Sequence, residues 1–561
     1  MDATHDHGAN APPSSPRAGT RVARRPLGVL GWSAVVVATM IVASLAAVVG
    51  SIFAPSATTA WADLSATVLP RYVLNTAILL VGVTCGVVSI GVLSAWLVTA
   101  YRFPGQRLLE WALTLPLAMP AYVMAYAYTD WLQFAGAVQT TLRALTGWQA
   151  HDYWFPDVRS LYGAAAMYSF ALYPYVYLLA RNAFLEQSRS ALEAGRLAGY
   201  GAWGSFFRVA LPLARPAIAA GAALALMETL ADFGVASYFA IETFTVGIFK
   251  AWLSMGDIVA ANQLATCLLG FVILVLAIER WNRGGARYAA SRRPQPPHRL
   301  QGAKAVLALA ACAAPVVFGF VLPASILLHL AVTEAHVQAA RMVRLVVNSF
   351  SVAGATAILA VAVAVLLAYA SRLAKSRMVS ASNRVAALGY AIPGAVIAVG
   401  ILVPLGKLDN LIAAWMSKQF GIDVGLLLTG TIVALVYAYL VRFLAVALQT
   451  VEAGLAKVTT SMDDAARSLG LGPAGTMARV HAPLVASSLL VAWLLVFVDV
   501  MKELPATFAL RPFNFDTLAI EAYNLTKDER LAEAAAPSLV IVAVGLVPLL
   551  FISRRIMRAA N

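Results

Sequence analysis

Charge is what this chain is short of. Only 12% of its 561 residues are Asp, Glu, Lys or Arg, against roughly 25% in soluble domains, while 61% are apolar. An ordinary water-soluble globule is thereby excluded, and lipid is the expected solvent. Cysteine is scarce as well. Cys85, Cys267 and Cys312 each lie inside an apolar run with no partner at metal-ligand or redox spacing, so they read as small core residues. A Gly-x-x-x-x-Gly-Lys-Ser/Thr phosphate loop is missing, since Gly406-Lys407-Leu408 lacks both the hydroxyl and the upstream glycine. The chain has no means of its own to hydrolyse ATP. No nucleophile with a neighbouring base, no His/Glu zinc spacing and no cofactor fingerprint occurs, which argues against an enzyme and against a bound cofactor.

The charges that are present are placed by topology. A formal net charge of +14 would suit a polynucleotide binder only if the basic residues shared one wet face. Instead they punctuate apolar runs. Arg17, Arg21, Arg24 and Arg25 precede the first run, Arg280, Arg283, Arg287, Arg292 and Arg293 fill a middle stretch, and Arg554, Arg555 and Arg558 close the chain. By the positive-inside rule these segments, and so both termini, are cytoplasmic. His5 and His7 sit in the polar tail and do not complete a metal site.

Runs long enough to cross a bilayer fall near 28–53, 73–100, 108–131, 161–185, 212–238 and 262–280, and again near 304–332, 346–371, 385–406, 425–448, 484–508 and 534–553. The first is too long for a typical leader core and reads as a retained helix. The pattern predicts an all-α integral membrane protein of about twelve spans, in two six-span domains, 28–280 and 304–553. A cytoplasmic tail (1–27), a linker (281–303) and a second tail (554–561) complete the chain.

The two series are copies. At an offset of 271, Ser190, Ala194, Arg196, Gly199, Gly201, Gly204, Arg208, Val209 and Pro212 meet Ser461, Ala465, Arg467, Gly470, Gly472, Gly475, Arg479, Val480 and Pro483. Asn75 and Pro120 similarly echo Asn348 and Pro393 at an offset of 273. Each copy holds an even number of spans, so the repeat is parallel and a path would run between the halves. Pro120 and Pro393 are expected to kink their spans.

The most strongly repeated segment, 188–212 and 459–483, is a loop between spans four and five of each half. Ser190 to Glu193 and Ser461 to Asp464 read as capping-box-like helix starts, and Gly199 and Gly470 as helix ends that need a left-handed residue. The spacing Glu193-Ala194-Gly195, Gly199, Val209-Ala210-Leu211-Pro212 resembles the EAA loop of ABC importer permeases. The second copy, Asp464-Ala465-Ala466, Gly470, Val480-His481-Ala482-Pro483, departs from it by Asp for Glu and Ala for Leu, and the first by Gly195 for Ala. The resemblance implies a type I ABC importer permease-like fold. It also implies that each loop is a coupling helix docking on a separate ATPase, with two copies of that subunit using ATP and Mg²⁺. An extracytoplasmic, or periplasmic, binding protein is implied as well, in a bacterial inner membrane.

Four acids repeat inside the apolar runs, where ionisable groups are costly and are functional candidates. Glu228 and Asp232 lie one turn apart, and Asp499 and Glu503 stand 271 residues later. Facing each other, they would line a translocation path and form a ring of hard oxygen ligands suited to transient binding of iron(III). The other reading is structural: pairing with Lys502, with one another, or with backbone amides. The segment Lys502 to Thr507, with Arg511 to Ala519, resembles the ferric-iron permeases of bacteria, often fused as two six-span halves. Thiamine and phosphonate-type permeases are also similar. A gradient-driven secondary transporter would share the spans and the acids, though not the paired loops. Tyr122, Tyr126, Tyr173, Tyr175 and Tyr177, a possible phenolate set, read more readily as packing residues.

Overall fold

A computed structural model describes residues 29–53, 60–187, 199–283, 298–333, 338–374 and 376–559. The architecture is all-α. Among the described residues the strand content is one two-residue parallel pairing, Tyr101–Arg102 with His298–Arg299. Ten helices are long and apolar enough to cross a membrane, or eleven if the bent pair Gln106–Ala118 and Ala121–Thr146 is one span. Leu161–Glu186, at 26 residues, is about 39 Å long by helical rise, and its tyrosines are what lower its apolarity. This count is compatible with the twelve spans expected.

Several boundaries differ from the apolar runs, for local reasons. Pro120 and Pro393 do not kink continuous helices. Each sits at an N-cap, with φ/ψ of −58°/140° and −57°/140°, opening the helices Ala121–Leu132 and Gly394–Phe420 after a short 3₁₀ turn. The residue before a proline avoids the α region, and Met119 and Ile392 are accordingly extended (ψ 106° and 124°), so the preceding helix must stop. In the first half the two segments meet at 92°. The fifth and eleventh runs also break early. Leu211–Ala231 ends one residue before Asp232 and Ala482–Met501 two before Glu503, and short helices, Gly234–Tyr238 and Pro505–Leu510, follow.

The repeat is visible in fine detail. Five-residue wide turns of π type occur at Phe206–Ala210 and Met477–His481, 271 residues apart, just ahead of Pro212 and Pro483. A proline has no N–H for the i−4 carbonyl, and the wider turn absorbs that missing bond. Asn75 and Asn348 both donate from Nδ2 at 3.0 Å, to the carbonyls of Glu242 and Asp516.

The halves are interlocked. Val29–Gly50 packs against Ala339–Ala374, Arg377–Leu388 and Gly394–Phe420, all in the second half, as well as against Ile258–Arg283. The hydroxyl of Tyr437 donates to the Met40 carbonyl at 2.8 Å. Reciprocally, Ala303–Thr333 lies on the first-half helices Leu69–Ala100 and Ala121–Leu132 and on the final helix, and Tyr128 donates to the Phe318 carbonyl at 2.5 Å. The core between them is continuous. The cysteines are free, with Cys312 buried within it.

Candidate translocation site and coupling surface

Four carboxylates reach one cavity. Glu228, Asp232, Asp499 and Glu503 line a space of about 100 Å³ enclosed by helices of both halves, together with Arg442, Lys502 and tyrosines including Tyr122, Tyr168, Tyr175 and Tyr390. The helix breaks described above create it, because each broken span turns its acid inward at the point where backbone amides become free.

Asp232 and Glu503 hold equivalent posts at those breaks. Asp232 Oδ1 accepts from Val235 N (2.8 Å) and from the Tyr168 hydroxyl (2.8 Å). Glu503 accepts from Ala506 N (2.9 Å), Thr507 N (3.0 Å) and the Thr507 hydroxyl (2.8 Å). Both therefore cap the short helix that follows, where the free N–H groups and the dipole favour a negative charge. Glu503 is in addition ion-paired with Arg442, Nη1 to Oε1 at 3.1 Å, with side chains 9% and 1% exposed. Asp499 is paired with Lys502 at 2.9 Å, and Glu228 accepts from the Tyr390 hydroxyl at 2.7 Å.

The pairing with Lys502 and with backbone amides is that of the structural reading. The acids converge, but they do not close into a bare carboxylate ring. Among the described residues no three His, Cys, Asp or Glu side chains come together as a metal site, because two of the acids are held by cations and two by caps or a phenol. Of the tyrosines singled out, Tyr122 and Tyr175 face the cavity, while Tyr126, Tyr173 and Tyr177 are buried in packing.

Gly394 shows how tightly the buried pair is housed. A Cβ there would lie 2.6 Å from both Arg442 Nη1 and Glu503 Oε1. Gly394→Ala is expected to cost about 1–3 kcal/mol by overpacking, read as a lower melting temperature of the purified chain. An unchanged melt would mean that the pair has room to move.

On the coupling side, Glu193, Ala194 and Gly195 lie outside the described residues. Gly199 adopts φ +80° and Gly470 +79°, the left-handed conformation expected of both. The second loop is fully visible. Helix Thr460–Ser468 carries Asp464, Ala465 and Ala466, and it closes as a Schellman motif, with Leu471 N bonded to the Ala466 carbonyl and Gly470 N to that of Arg467. Its start differs from the capping box expected at Ser461. Thr459 holds the N-cap position, and its hydroxyl bonds that of Ser461 at 2.8 Å rather than a helix amide.

Asp464 is exposed and meets Arg467 at 3.6 Å, and Leu469 is 81% exposed beside it. Ala466 is buried against the chain's own domain. The residue that anchors the helix is Asp463. It pairs with Arg372 at 2.9 Å and with His481 Nε2 at 2.6 Å, and Arg372 also reaches the carbonyls of Leu455 (3.0 Å) and Val458 (2.9 Å). Burial pushes the Asp463 carboxyl up, but the bonds from Arg372 and His481 outweigh it and hold it below the usual carboxylate range. An ionised carboxylate only accepts, so His481 Nε2 carries the proton. In the first half the matching positions are Leu192, Ala210 and, at the 273 offset, Thr99, which cannot build this anchor.

Sequence reasoning missed Arg442, Tyr390, Tyr168 and the Arg372–Asp463–His481 group. Arg442 carried a usable signal, a guanidinium in an apolar run, by the same rule that found the acids. Tyr168 and Tyr439 also stand 271 apart. Tyr390 carried none.

Comparison with known proteins agrees with this architecture. Residues 87–281 match the family described as binding-protein-dependent transport system inner membrane component. The chain is 25% identical over 488 residues to the Fe(3+)-transport system permease protein FbpB 2 of Haemophilus influenzae, covering 86% of this chain and 89% of that one. It is 31% identical over 216 residues to the molybdenum transport system permease protein ModB of Escherichia coli, covering 36% and 88%. The sulfate transport system permease protein CysT of Escherichia coli is 30% identical over 195 residues, covering 33% and 66%. With all-α, multi-pass architecture and these relatives, the chain belongs to the inner membrane permeases of binding-protein-dependent ABC importers.

Proposed function

We propose that this permease carries ferric iron from an extracytoplasmic binding protein to the cytoplasm, driven by two copies of a separate ATPase. One observation carries the substrate reading. Around the cavity four carboxylates face one ammonium and one guanidinium, a formal excess of two negative charges. Such a surface favours a cation and repels an oxyanion such as the sulfate named for one relative. The likeness to an Fe(3+) permease along both halves supports the same choice. Hard carboxylate and phenol oxygens suit a hard ion in transit, and pairing with Lys502 and Arg442 keeps the acids from holding it tightly.

In this reading the domains are 28–280 and 304–553, both termini are cytoplasmic, and each EAA loop docks on one ATPase. Glu193, Ala194, Gly195 and Gly199 serve the first loop, and Asp464, Ala465, Ala466 and Gly470 the second. ATP and Mg²⁺ are used by that partner. A gradient-driven carrier has no use for paired docking loops.

The test is ATP-driven uptake of radioactive iron(III) into vesicles holding this chain, its ATPase and its binding protein, with sulfate, molybdate and thiamine as competitors. Iron uptake unaffected by the three competitors is the expected result. ATP-dependent uptake of any of them in place of iron removes the ferric assignment.

A further inference from the structure

Spans five and eleven run outward from the docking loops, so the short helices beyond their breaks, Gly234–Tyr238 and Pro505–Leu510, stand on the outer side of the cavity. Four rings meet there. Between centroids, Phe233 lies 4.4 Å from Phe249, 5.4 Å from Phe508 and 5.5 Å from Tyr523. Phe508 in turn lies 5.6 Å from Phe249 and 5.5 Å from Tyr523. Phe233, Phe249 and Tyr523 are buried. Each half supplies two rings, and Phe249 and Tyr523 are equivalent at the offset that joins Glu242 to Asp516 (523 − 249 = 516 − 242 = 274). A hydroxyl bond across the same seam joins Ser237 to Tyr523 at 2.8 Å. The helix starts also touch across it, since a Cβ on Gly234 would lie 3.0 Å from Leu504 Cδ2.

This seam can part without breaking a buried ion pair. The cavity's pairs, Asp499 with Lys502 and Glu503 with Arg442, both lie within the second half. The pair that does join the halves here, Arg159 with Glu529 at 3.6 Å, is exposed to water. Closed, the rings bar an ion, because stripping its water between apolar faces is costly. Opened, they strand no charge. The cavity acids reach the seam through the backbone. Asp232 directly precedes Phe233 and accepts from Val235 N, while Glu503 accepts from the amides of Ala506 and Thr507, the residues leading to Phe508.

We propose that these four rings are the outer gate of the cavity and that Asp232 and Glu503 hold it shut as positioning residues. Each carboxylate, by capping the short helix at its break, fixes the pose of the ring beside it. Two of the four cavity acids thereby serve the gate as well as lending the cavity their charge. This rests on the proposed placement of the docking loops in the cytoplasm, and not on the identity of the substrate.

The experiment uses the full chain with Cys85→Ala, Cys267→Ala and Cys312→Ala, and Leu172→Cys in the cavity wall as its single thiol. Right-side-out and inside-out membrane vesicles are treated with a membrane-impermeant cationic methanethiosulfonate, and the rate of modification is read from each face. In Asp232→Val the outer rate is expected to rise about fivefold, the gain in open fraction that losing a helix cap of ordinary strength allows, with the cytoplasmic rate unchanged. Asp232→Asn, whose amide oxygen still accepts from Val235 N, should keep the outer rate low. Phe508→Ala should raise it as Asp232→Val does, and reads the gate if the valine variant does not fold. Unchanged outer rates in both Asp232→Val and Phe508→Ala overturn the gate. Equal rises in the valine and asparagine variants overturn the capping role, and equal rises from both faces mark general loosening and overturn both. A rise confined to the cytoplasmic face sinks the loop placement, and with it the outer assignment of the gate.

Discussion

Glu503→Ala is expected to lower the stability of the folded permease by about 3–5 kcal/mol, the usual cost of leaving a buried charge without its partner. The charge left behind is Arg442, whose side chain is 9% exposed and whose Nε already has no acceptor. Loss of Glu503 also uncaps helix Pro505–Leu510, freeing the amides of Ala506 and Thr507, which adds about 1 kcal/mol. Arg442→Met should be milder, because Glu503 keeps three bonds from Ala506 and Thr507. Combining the two changes should recover part of the loss relative to Glu503→Ala alone, since the orphaned guanidinium is then gone. Melting of the purified variants by fluorescence-detected size exclusion decides this. A Glu503→Ala melt equal to wild type, or a double variant worse than the sum of the singles, would contradict it.

A comparable effect, on coupling rather than folding, is expected of Arg372→Ala. One guanidinium ties Asp463 and the carbonyls of Leu455 and Val458 together, so it fixes helix Thr460–Ser468 to the end of helix Ala339–Ala374. Charge-assisted bonds contribute about 1.5–3 kcal/mol each, and losing them should leave helix Thr460–Ser468 loosely held. Insertion should persist while ATP-driven uptake falls at least about tenfold. Uptake at the wild-type rate would show that the anchor is not needed for transmission. The carboxylate of the anchor keeps its charge over the neutral range. The Asp463 carboxyl is held below its ordinary value, so its contribution is fully present above about pH 4, near the value for an unfolded aspartate, and is lost only as pH falls through the depressed folded value.

What was legible in the chain follows from which interactions are local. The spans, the repeat and the left-handed glycines depend on periodicity and on neighbours a few residues away, and Gly199 and Gly470 could be assigned from spacing alone. The acids were found because charge in lipid is rare. Their partners were harder, since Tyr390 meets Glu228 across 162 residues and Arg442 meets Glu503 across 61, distances at which sequence spacing carries no geometry. Proline was misjudged for a similar reason. Pro120 and Pro393 have the same effect on the residue before them wherever they stand, but whether a helix bends or restarts there depends on what packs against the break.

The exchange of first helices has a mechanical consequence. Since Val29–Gly50 rides on the second half and Ala303–Thr333 on the first, the two packed bodies are not the two repeats as written in the chain. Each is a composite that borrows its outer stave from the other.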